Sequence, residues 1–461
     1  MNIKLFMMGF AAILAASTLP AAQEIDENAL FGDTAITMID SANLKVASTA
    51  VDGVDSANVS FSCGVTAVGE AGFSRRWFST NDRREIDPGA LMLGDLMLDA
   101  RLPFGMKAFT DGEVYYSPDS NGLSFAVPEL FLDANVNHRV YFRAGKQVLQ
   151  WGRGYFWNPT DMVNVERKTF VQRIGSREGT FGLKTHIPFG TRWNIYSFID
   201  MHKLSSIDSL AYAVRGEGLF GGTEAGLALW GKSGKDPILG FDFSTTLLTV
   251  SLTGEMSITS GRNYRVLDVA NSPAFKKDPT ENPLDTQFFA FRDFGNNPTV
   301  RFSVGLMRFF DAFDVDDRVL VVGEFYYNQV GDPGNQLKEY DAAKRFRYIK
   351  MSQGKGNPWL DSIGLQADAA LQSIEFNSLA RYYGAFFVTV NKFIVSDMTL
   401  QLNGIMNFNH KCAMLTAGLT YTTLHNFSLG CLVNAVVGPE ESEYVFLGNG
   451  ASVRLTAGVT F

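Results

Sequence analysis

The sequence predicts an all-β protein, a transmembrane antiparallel up-and-down β-barrel of about 18 strands (16–18). Three observations predict this fold class. Apolar and polar residues alternate along most of the chain with a period of two, which is the period of a strand that has one apolar face. The links between the alternating segments are short at one end and long at the other. Beyond the N-terminal leader, no apolar run is long enough for a transmembrane helix.

The N-terminus has the pattern of an exported protein. A short start with one lysine precedes an unbroken apolar run, and small residues around Ala22 form a cleavage site. The run is too short to cross a bilayer. We therefore predict a signal peptide at 1–22, a polar and acidic periplasmic lead-in at 23–55, and an outer-membrane β-barrel at 56–461. The lead-in is either a disordered leader in the periplasm, which is the favoured interpretation, or a segment that folds back into the lumen as a plug.

Eighteen alternating segments follow the lead-in. The predicted strands are 57–68, 90–101, 104–116, 123–134, 139–150, 178–187, 191–201, 208–216, 222–232, 236–243, 247–258, 297–309, 318–329, 377–391, 397–408, 410–421, 427–438 and 449–461. In each of them one set of alternate positions is mostly apolar and the other is mostly polar or glycine.

The length of a link depends on whether it follows an even-numbered or an odd-numbered strand. The links after even-numbered strands are short, and they include 102–103, 135–138, 188–190, 244–246, 311–317, 392–396 and 422–426. The long links all follow odd-numbered strands, and they are 69–89, 151–177, 259–296 and 330–376. Short turns on one rim and long loops on the other are typical of outer-membrane barrels. We predict that 151–177 or 330–376 folds into the lumen.

The last strand alternates strictly and ends on a bare aromatic residue. Its apolar set is Ala451, Val453, Leu455, Ala457, Val459 and Phe461, and its polar set is Ser452, Arg454, Thr456, Gly458 and Thr460. This pattern suits a strand with lipid on one side and a wet lumen on the other. Phe461 then ends the lipid face at the periplasmic interface. We expect outer-membrane lipid to surround the barrel and the barrel-assembly machinery to bind this strand.

Composition and charge exclude several classes of function. The formal net charge is −8, and removing the signal peptide takes away Lys4 and no acid, so it becomes −9. An acidic chain argues against a nucleic-acid partner. Phenylalanine occurs 38 times and aromatic residues make up 13% of the chain, which exceeds the need of a soluble domain. Cys412 is predicted on the lumen face and Cys431 on the lipid face, so no bridge is expected between them.

No arrangement of residues predicts an enzyme, a metal site or a cofactor. The five histidines are scattered, and no segment brings Ser, His and Asn or Asp to one rim level of the barrel at a suitable spacing. His202 and His410 near the outer rim are too few for a metal site. The glycine-rich stretches lack the spacing of a phosphate-binding loop.

The most informative stretch is "PELFLDANVNHRVYFRAGKQVLQWGRGYFWNPTDMVN", residues 128–164. It predicts a strand with inward Glu129 and Asp133, a tight turn, a second strand, and a loop rich in Trp, Gly, Asn and Pro. The second strand has on one face Arg139, Tyr141, Arg143 and Gln147. Facing acids and arginines can pair across such a hairpin. The pairs either narrow and order the pore or anchor an inward-folded loop.

This segment resembles the alginate-export-like outer-membrane barrels and related porin-like families. In those, a hairpin with R-x-G-R/K-Q leads into W/Y-G and an N-P-x-D-x-x-N loop. The matching residues here are Arg143, Gly145, Lys146, Gln147, Trp151, Gly152, Asn158, Pro159, Asp161 and Asn164. The resemblance implies a monomeric pore of 18 or nearly 18 strands with a strongly charged lumen. It implies nothing about the solute.

The alternation places charges of both signs in the lumen. The candidate pore-lining and constriction residues are Glu129, Asp133, Arg139, Tyr141, Arg143, Gln147, Lys184, Glu324, Arg381 and Arg454, beside the motif loop with Trp151, Gly152, Asn158, Pro159, Asp161 and Asn164. Such a lining favours hydrated polar or charged solutes over apolar ones. We interpret the chain as a porin-like channel of the outer membrane of a diderm bacterium. The alternative is a surface-exposed adhesin or ligand-binding barrel with a blocked lumen.

Overall fold

The structure is a computed structural model of the chain. It describes residues 58–73, 86–102, 105–117, 122–149, 151–161, 179–201, 210–268, 289–332, 375–422, 426–439, 442–447 and 450–460. The predicted signal peptide, the predicted lead-in and Phe461 lie outside the described residues.

Twenty strands and one short α-helix are present in these residues. The first ten strands are β1 (Asn58–Phe73), β2 (Ile86–Leu102), β3 (Met106–Ser117), β4 (Gly122–Val136), β5 (Val140–Gln147), β6 (Thr180–Phe189), β7 (Trp193–Asp200), β8 (Ala211–Phe220), β9 (Thr223–Lys232) and β10 (Ile238–Leu247). The other ten are β11 (Val250–Ser260), β12 (Arg265–Asp268), β13 (Ala290–Asp293), β14 (Pro298–Ala312), β15 (Val315–Asn328), β16 (Tyr382–Asn391), β17 (Met398–Asn407), β18 (Cys412–Thr422), β19 (Phe427–Val437) and β20 (Ala451–Thr460). The helix is α1 (Glu443–Leu447).

Eighteen of the strands form one closed antiparallel barrel. Each strand pairs with the next along the chain, and β11 pairs with β14 because β12 and β13 form a separate two-stranded sheet. The ring closes where β20 pairs with β1, with Gly64 opposite Thr460 and Phe73 opposite Ala451. Closure leaves neither terminal strand with an unpaired edge. The predicted fold class and strand number are confirmed.

The two faces of the barrel differ as the alternation predicts. Large apolar side chains are exposed on the outside, such as Phe125 at 71%, Leu227 at 56% and Leu455 at 58% exposure. Inward positions on the same strands have polar or small residues, except for Phe131 and Trp230, which are buried. A protein in water rarely leaves so much apolar area uncovered, so the outer surface is suited to lipid.

The short turns lie on one rim, which we call the turn rim, and the other end is the loop rim. Hairpin turns at 190–192, 221–222 and 313–314 confirm the predicted parity. The predicted turn at 244–246 is wrong, because β10 continues to Leu247 and the chain reverses at Leu248, which has a φ of 59°. Both residues of a two-residue hairpin loop commonly need a positive φ, and sequence alternation does not report it.

Several boundaries on the loop rim also differ from the prediction. The predicted strand 377–391 starts only at Tyr382, because residues 375–381 bend into the lumen. The hairpin of β12 and β13 and the helix α1 were not predicted. Each contains few residues with little alternation. Within the described residues, no helix is long and apolar enough to cross a membrane.

Candidate functional site

The hairpin of β4 and β5 has a paired charge on its lumen face. The Arg143 guanidinium donates to both carboxylate oxygens of Asp133, at 2.7 and 2.9 Å. It also lies over the Phe131 ring, 3.8 Å from the centroid. Glu129 on the same face accepts the backbone N–H of Val148 at 2.8 Å. The predicted pairing across this hairpin is present, and its two acids have different partners.

The same wall continues with cationic and aromatic groups on β5 and β6. Lys184 is opposite Arg143 in register, and its ammonium lies 5.5 Å from the ring centroid of Tyr196. Tyr141 is 37% exposed near the turn rim, where it contacts His186 with 5.8 Å between ring centroids. Lys184 and Tyr141 therefore lie on the lumen wall, as the alternation predicts.

Three other predicted residues lie elsewhere than expected. Arg139 was predicted on a strand, but β5 starts at Val140 and Arg139 is an exposed residue of the turn. Gln147 is fully buried and donates to the carbonyl groups of Arg143 and Gly182, so it joins strands and does not line a pore. Arg381 precedes β16 in the bent segment 375–381.

Residues 151–161 fold from the end of β5 into the lumen, and we call them the inward segment. The prediction that 151–177 or 330–376 folds inward is confirmed for these residues. Glu324 of β15 is fully buried and holds the middle of the inward segment. Its Oε2 accepts the backbone N–H groups of Tyr155 and Phe156 at 2.6 and 2.9 Å, and its Oε1 accepts that of Trp157 at 2.9 Å.

Glu255 of β11 holds the two ends of the same segment. Its Oε1 accepts the backbone N–H groups of Arg153 and Gly154. Its Oε2 accepts the backbone N–H of Thr160 at 3.2 Å and the hydroxyl at 2.8 Å. Together the two wall carboxylates accept six backbone N–H groups of the inward segment. A backbone donor that is buried without an acceptor is costly, so these carboxylates fix the segment's position.

The side chain of Arg153 joins the inward segment to a second group of wall carboxylates. Its guanidinium lies 2.6 Å from Glu224, 3.0 Å from Asp242 and 3.6 Å from Glu217. Asp242 is fully buried and also accepts Arg215 Nη2 at 2.8 Å, while Arg215 Nη1 donates to the carbonyl of Trp151. The network contains three acids and two guanidinium groups. Only Glu224, at 51% exposure, presents a large charged surface to the lumen.

Two tryptophans fix the inward segment on opposite sides. Trp151 is 4% exposed, in a cluster with Leu149, Phe198, Ala211, Ala213 and Trp230. Trp157 stacks on Tyr326 with 5.3 Å between ring centroids and an interplanar angle of 3°. It also contacts Tyr383 at 5.9 Å. Aromatic contacts of this kind add to the area that each ring buries.

The remaining motif residues shape the turn within the inward segment. A Cβ on Gly152 would lie 2.5 Å from Glu255 Oε1 and 2.6 Å from Asn158 Oδ1, so only glycine fits there. Asp161 donates its backbone N–H to the carbonyl of Asn158 at 3.0 Å, which closes a turn that contains Pro159. Asn164 lies outside the described residues. The motif is therefore mainly a device that builds and seats the inward segment.

The predicted residues thus divide into two groups. Glu324 and the motif residues hold the inward segment, while Asp133, Arg143 and Lys184 form the wall nearer the turn rim. Arg454 lies apart from both on β20, opposite Glu70 in register.

Four further residues contact the inward segment or one another and were not predicted as site residues: Asn377, Glu443, Tyr326 and Tyr383. The inward alternation of β15 and β16 could have indicated the two tyrosines. Among the described residues, no group of three or more His, Cys, Asp or Glu side chains is arranged to hold a metal ion.

The fold is similar to solved structures that have little sequence in common with this chain. OpdL of Pseudomonas aeruginosa matches with a TM-score of 0.50 and 8% identity, over 88% of this chain and 99% of that one. OccK5 (OpdH) of the same organism matches with a TM-score of 0.49 and 8% identity, over 88% and 98%. OccK9 (OpdG), also from Pseudomonas aeruginosa, matches with a TM-score of 0.49 and 7% identity, over 88% and 98%.

No family model matches the chain, and no curated protein matches it in sequence. The porin-like architecture predicted from the sequence is confirmed, whereas the closer resemblance to alginate-export-like barrels stays a prediction. The likeness to OpdL shows the fold alone, which is a closed 18-stranded antiparallel barrel.

Proposed function

We propose that this protein is an outer-membrane channel that passes small polar or charged solutes through a lumen narrowed by the inward segment. One observation carries the proposal. Inside a closed barrel with an apolar outer surface, two buried carboxylates hold six backbone N–H groups of one segment in a fixed position. A barrel that served only as a surface anchor has no need of a constriction built so rigidly within its lumen.

The lining of the wall supports a polar or charged solute. The side chain of Asp133 is 26% exposed and that of Arg143 is 33% exposed, so both remain in contact with lumen water. Lys184 lies beside them, and Glu224 contributes an exposed carboxylate next to the inward segment. Charges that keep part of their hydration attract hydrated solutes and repel apolar ones. We propose pore-lining roles for these residues.

Planar-bilayer recordings of the purified protein test the proposal. We expect discrete conductance steps, and a larger conductance when a short Gly-Ser linker replaces residues 153–160, because the inward segment no longer narrows the lumen. The reversal potential in a salt gradient then measures whether anions or cations pass preferentially. Silence in both proteins would support the alternative, in which the barrel is blocked and serves as an adhesin or ligand-binding surface.

The proposal also covers the processing of the N-terminus, the assembly of the barrel and its oligomeric state. We propose that residues 1–22 are a cleaved signal peptide and that 23–55 form a periplasmic lead-in to the barrel of 56–461. The alternating pattern of β20, which continues toward Phe461, supports recognition by the barrel-assembly machinery. The motif in 128–164 supports kinship with alginate-export-like barrels and a monomeric state. Mass spectrometry of the mature chain and its mass in detergent test the first and last of these.

A further inference from the structure

One asparagine joins three segments that enter the lumen from the loop rim. The backbone carbonyl of Asn377 accepts the indole N–H of Trp157 at 2.8 Å. Its backbone N–H donates to Glu443 at 2.6 Å, and its side-chain oxygen accepts the hydroxyl of Tyr444 at 3.0 Å. Asn377 has a φ of 60°, a conformation that asparagine adopts more readily than most residues. The inward segment, residues 375–381 and α1 are therefore connected at a single residue.

The carboxyl group of Glu443 completes this connection and is fully buried. Its Oε1 accepts the backbone N–H of Asn377 at 2.6 Å. Its Oε2 accepts the hydroxyl of Tyr383 at 2.8 Å and the side-chain N–H of Asn407 at 2.6 Å. Glu443 thus joins α1 to two barrel strands, β16 and β17, and through Asn377 to the inward segment.

We propose that Glu443 and Asn377 form a titratable latch, closed when Glu443 is protonated, that positions the constricting inward segment through Trp157. The inference rests on the proposed function, because it assigns to these residues the control of a pore. Glu443 is a positioning residue in this scheme. It acts on the lumen through Asn377 and Trp157.

The direction of the pH effect follows from the burial of Glu443. Burial raises the pKa of the Glu443 carboxyl from its ordinary 4.5 to about 7, although the bonds from Tyr383, Asn407 and Asn377 oppose the shift. When the latch opens, the carboxyl meets water and its pKa returns toward 4.5. The closed latch therefore binds the proton more tightly than the open one. Acid favours the closed latch, and its stability falls as the pH rises from about 4.5 to about 7.

The groups that face Glu443 do not titrate in this range. They are the hydroxyls of Tyr383 and Tyr444 and the thiol of Cys412, which ordinarily ionise above about pH 8. His410 is the one imidazole of the described network, since its backbone N–H donates to Asn407 Oδ1 at 2.9 Å. A pH response that survived the loss of the Glu443 carboxyl would point to His410 and would overturn the assignment.

Cys412 offers a direct measure of the latch. Its side chain is 3% exposed, on the lumen face of β18, and the backbone N–H groups of Glu443 and Tyr444 approach its sulfur. The thiol becomes reachable when α1 lifts. Cys63 is opposite the outward-facing Leu96, and Cys431 is opposite Leu419 on the outer face. Both are replaced by serine, so that a water-soluble maleimide reports Cys412 alone. The matched protein is the same background with Glu443→Gln, which has no proton to gain or lose.

The Cys412 labelling rate of the protein with only Cys63 and Cys431 replaced, which we call the parent, is divided by that of its Glu443→Gln variant at each pH. This ratio removes the ordinary effect of pH on thiol reactivity. We expect this ratio, parent over Glu443→Gln, to rise at least about tenfold between about pH 5 and pH 7.5, within a linkage limit of about 300-fold. A ratio that stays constant would overturn the latch. As a second variant, Tyr383→Phe removes one donor that favours the charged carboxyl, so the rise should move to higher pH. An unmoved rise in a folded Tyr383→Phe protein also contradicts the scheme.

Single-channel recordings link the latch to the pore. We expect the wild-type conductance, or its fluctuation, to increase over the same pH range, and that of Trp157→Phe to be independent of pH while its Cys412 labelling still titrates. Phenylalanine keeps the ring contact and lacks only the N–H that reaches Asn377. A Trp157→Phe channel that titrates like the wild type would refute the coupling.

Asp236 provides the control carboxylate on the loop rim. Hydrogen bonds from Arg262 lower the pKa of Asp236, so Asp236→Asn should leave the pH dependence of conductance and of Cys412 labelling unchanged. Loss of that pH dependence in Asp236→Asn would contradict the assignment to Glu443. If the wild type forms no channels at all, the proposed function fails while the labelling ratio still decides the latch.

Discussion

Glu255 and Glu324 each accept three backbone N–H groups of the inward segment, whereas Glu129 accepts one from Val148. A carboxylate normally stays at a wet surface, since burial of its charge is costly without compensating donors. Here Glu324 accepts three backbone N–H groups and is fully buried. The inward segment in turn has donors that no strand can satisfy. The carboxylates therefore accept the hydrogen bonds of the inward segment, and the backbone N–H groups compensate the burial of the two charges. As a result the two carboxylates hold the constriction in place and do not present their charge to the lumen.

Replacing Glu324 with glutamine tests this exchange. The amide has one acceptor oxygen where the carboxylate has two, so at least one N–H among Tyr155, Phe156 and Trp157 loses its acceptor. We expect a loss of about 1–3 kcal/mol in the free energy of unfolding in urea. Glu224→Gln is the matched control. Glu224 is 51% exposed, and Arg153 keeps Asp242 and Glu217 as partners, so we expect a loss below about 1 kcal/mol. Equal losses would contradict the assigned role of Glu324.

The position of Gly152 leaves no room for a side chain. A Cβ at this position would lie 2.5 Å from Glu255 Oε1 and 2.8 Å from Asn158 Cβ, and neither can move without releasing the inward segment. We expect Gly152→Ala to cost about 1–3 kcal/mol and to give channels with larger or more variable conductance. Gly216→Ala is the control, since nothing lies within 4 Å of the added Cβ. Wild-type conductance in Gly152→Ala would show that the inward segment does not set the constriction.

At the scale of elements, alternation predicts strands well and their ends poorly. The central residues of all eighteen barrel strands lie within predicted strands, because one face must suit lipid and the other water. The ends depend on turn geometry instead. Phe313 and Asp314 both have a positive φ and form a tight turn where the sequence predicted a loop of seven residues, 311–317. No rule of composition assigns such a conformation to phenylalanine.

The elements inside the lumen were harder to predict, for a different physical reason. The sequence predicted that either 151–177 or 330–376 folds inward, and the motif of 128–164 contains the glycine and Asn-Pro residues that favour turns. The acceptors of the inward segment, Glu255 and Glu324, occupy ordinary inward positions on distant strands and have no local signal. The helix α1 and Asn377 have even less, since their contacts join residues 66 positions apart. Long-range partners of this kind are fixed only when the barrel closes.

At the scale of the whole molecule, closure converts a local alternation into a global inside and outside. The seam between β20 and β1 places Ala457 beside Ala67 and Leu455 beside Gly69 on the outer surface. Apart from one register irregularity in the pairing of β3 with β4 and one in that of β14 with β15, neighbouring strands keep the same alternation. A shift of register by one residue would therefore reverse both faces. The side chains that line the lumen can therefore be polar or charged while those on the outer surface stay apolar. A channel requires this separation, and substitutions on the two faces should have different costs.

Two adjacent residues of β17 test that separation. Leu402 points outward at 39% exposure near the middle of the strand, and Gln401 points into the lumen opposite Gly418. We expect Leu402→Arg to cost about 2–4 kcal/mol in the free energy of folding into lipid vesicles, because the charge enters hydrocarbon. Gln401→Arg keeps a long polar side chain in the wet lumen, so its cost should stay below about 1 kcal/mol. Urea titrations in vesicles measure both. Equal costs, or a larger cost for Gln401→Arg, would mean that the lumen is not filled with water, and the channel proposal would fail with it.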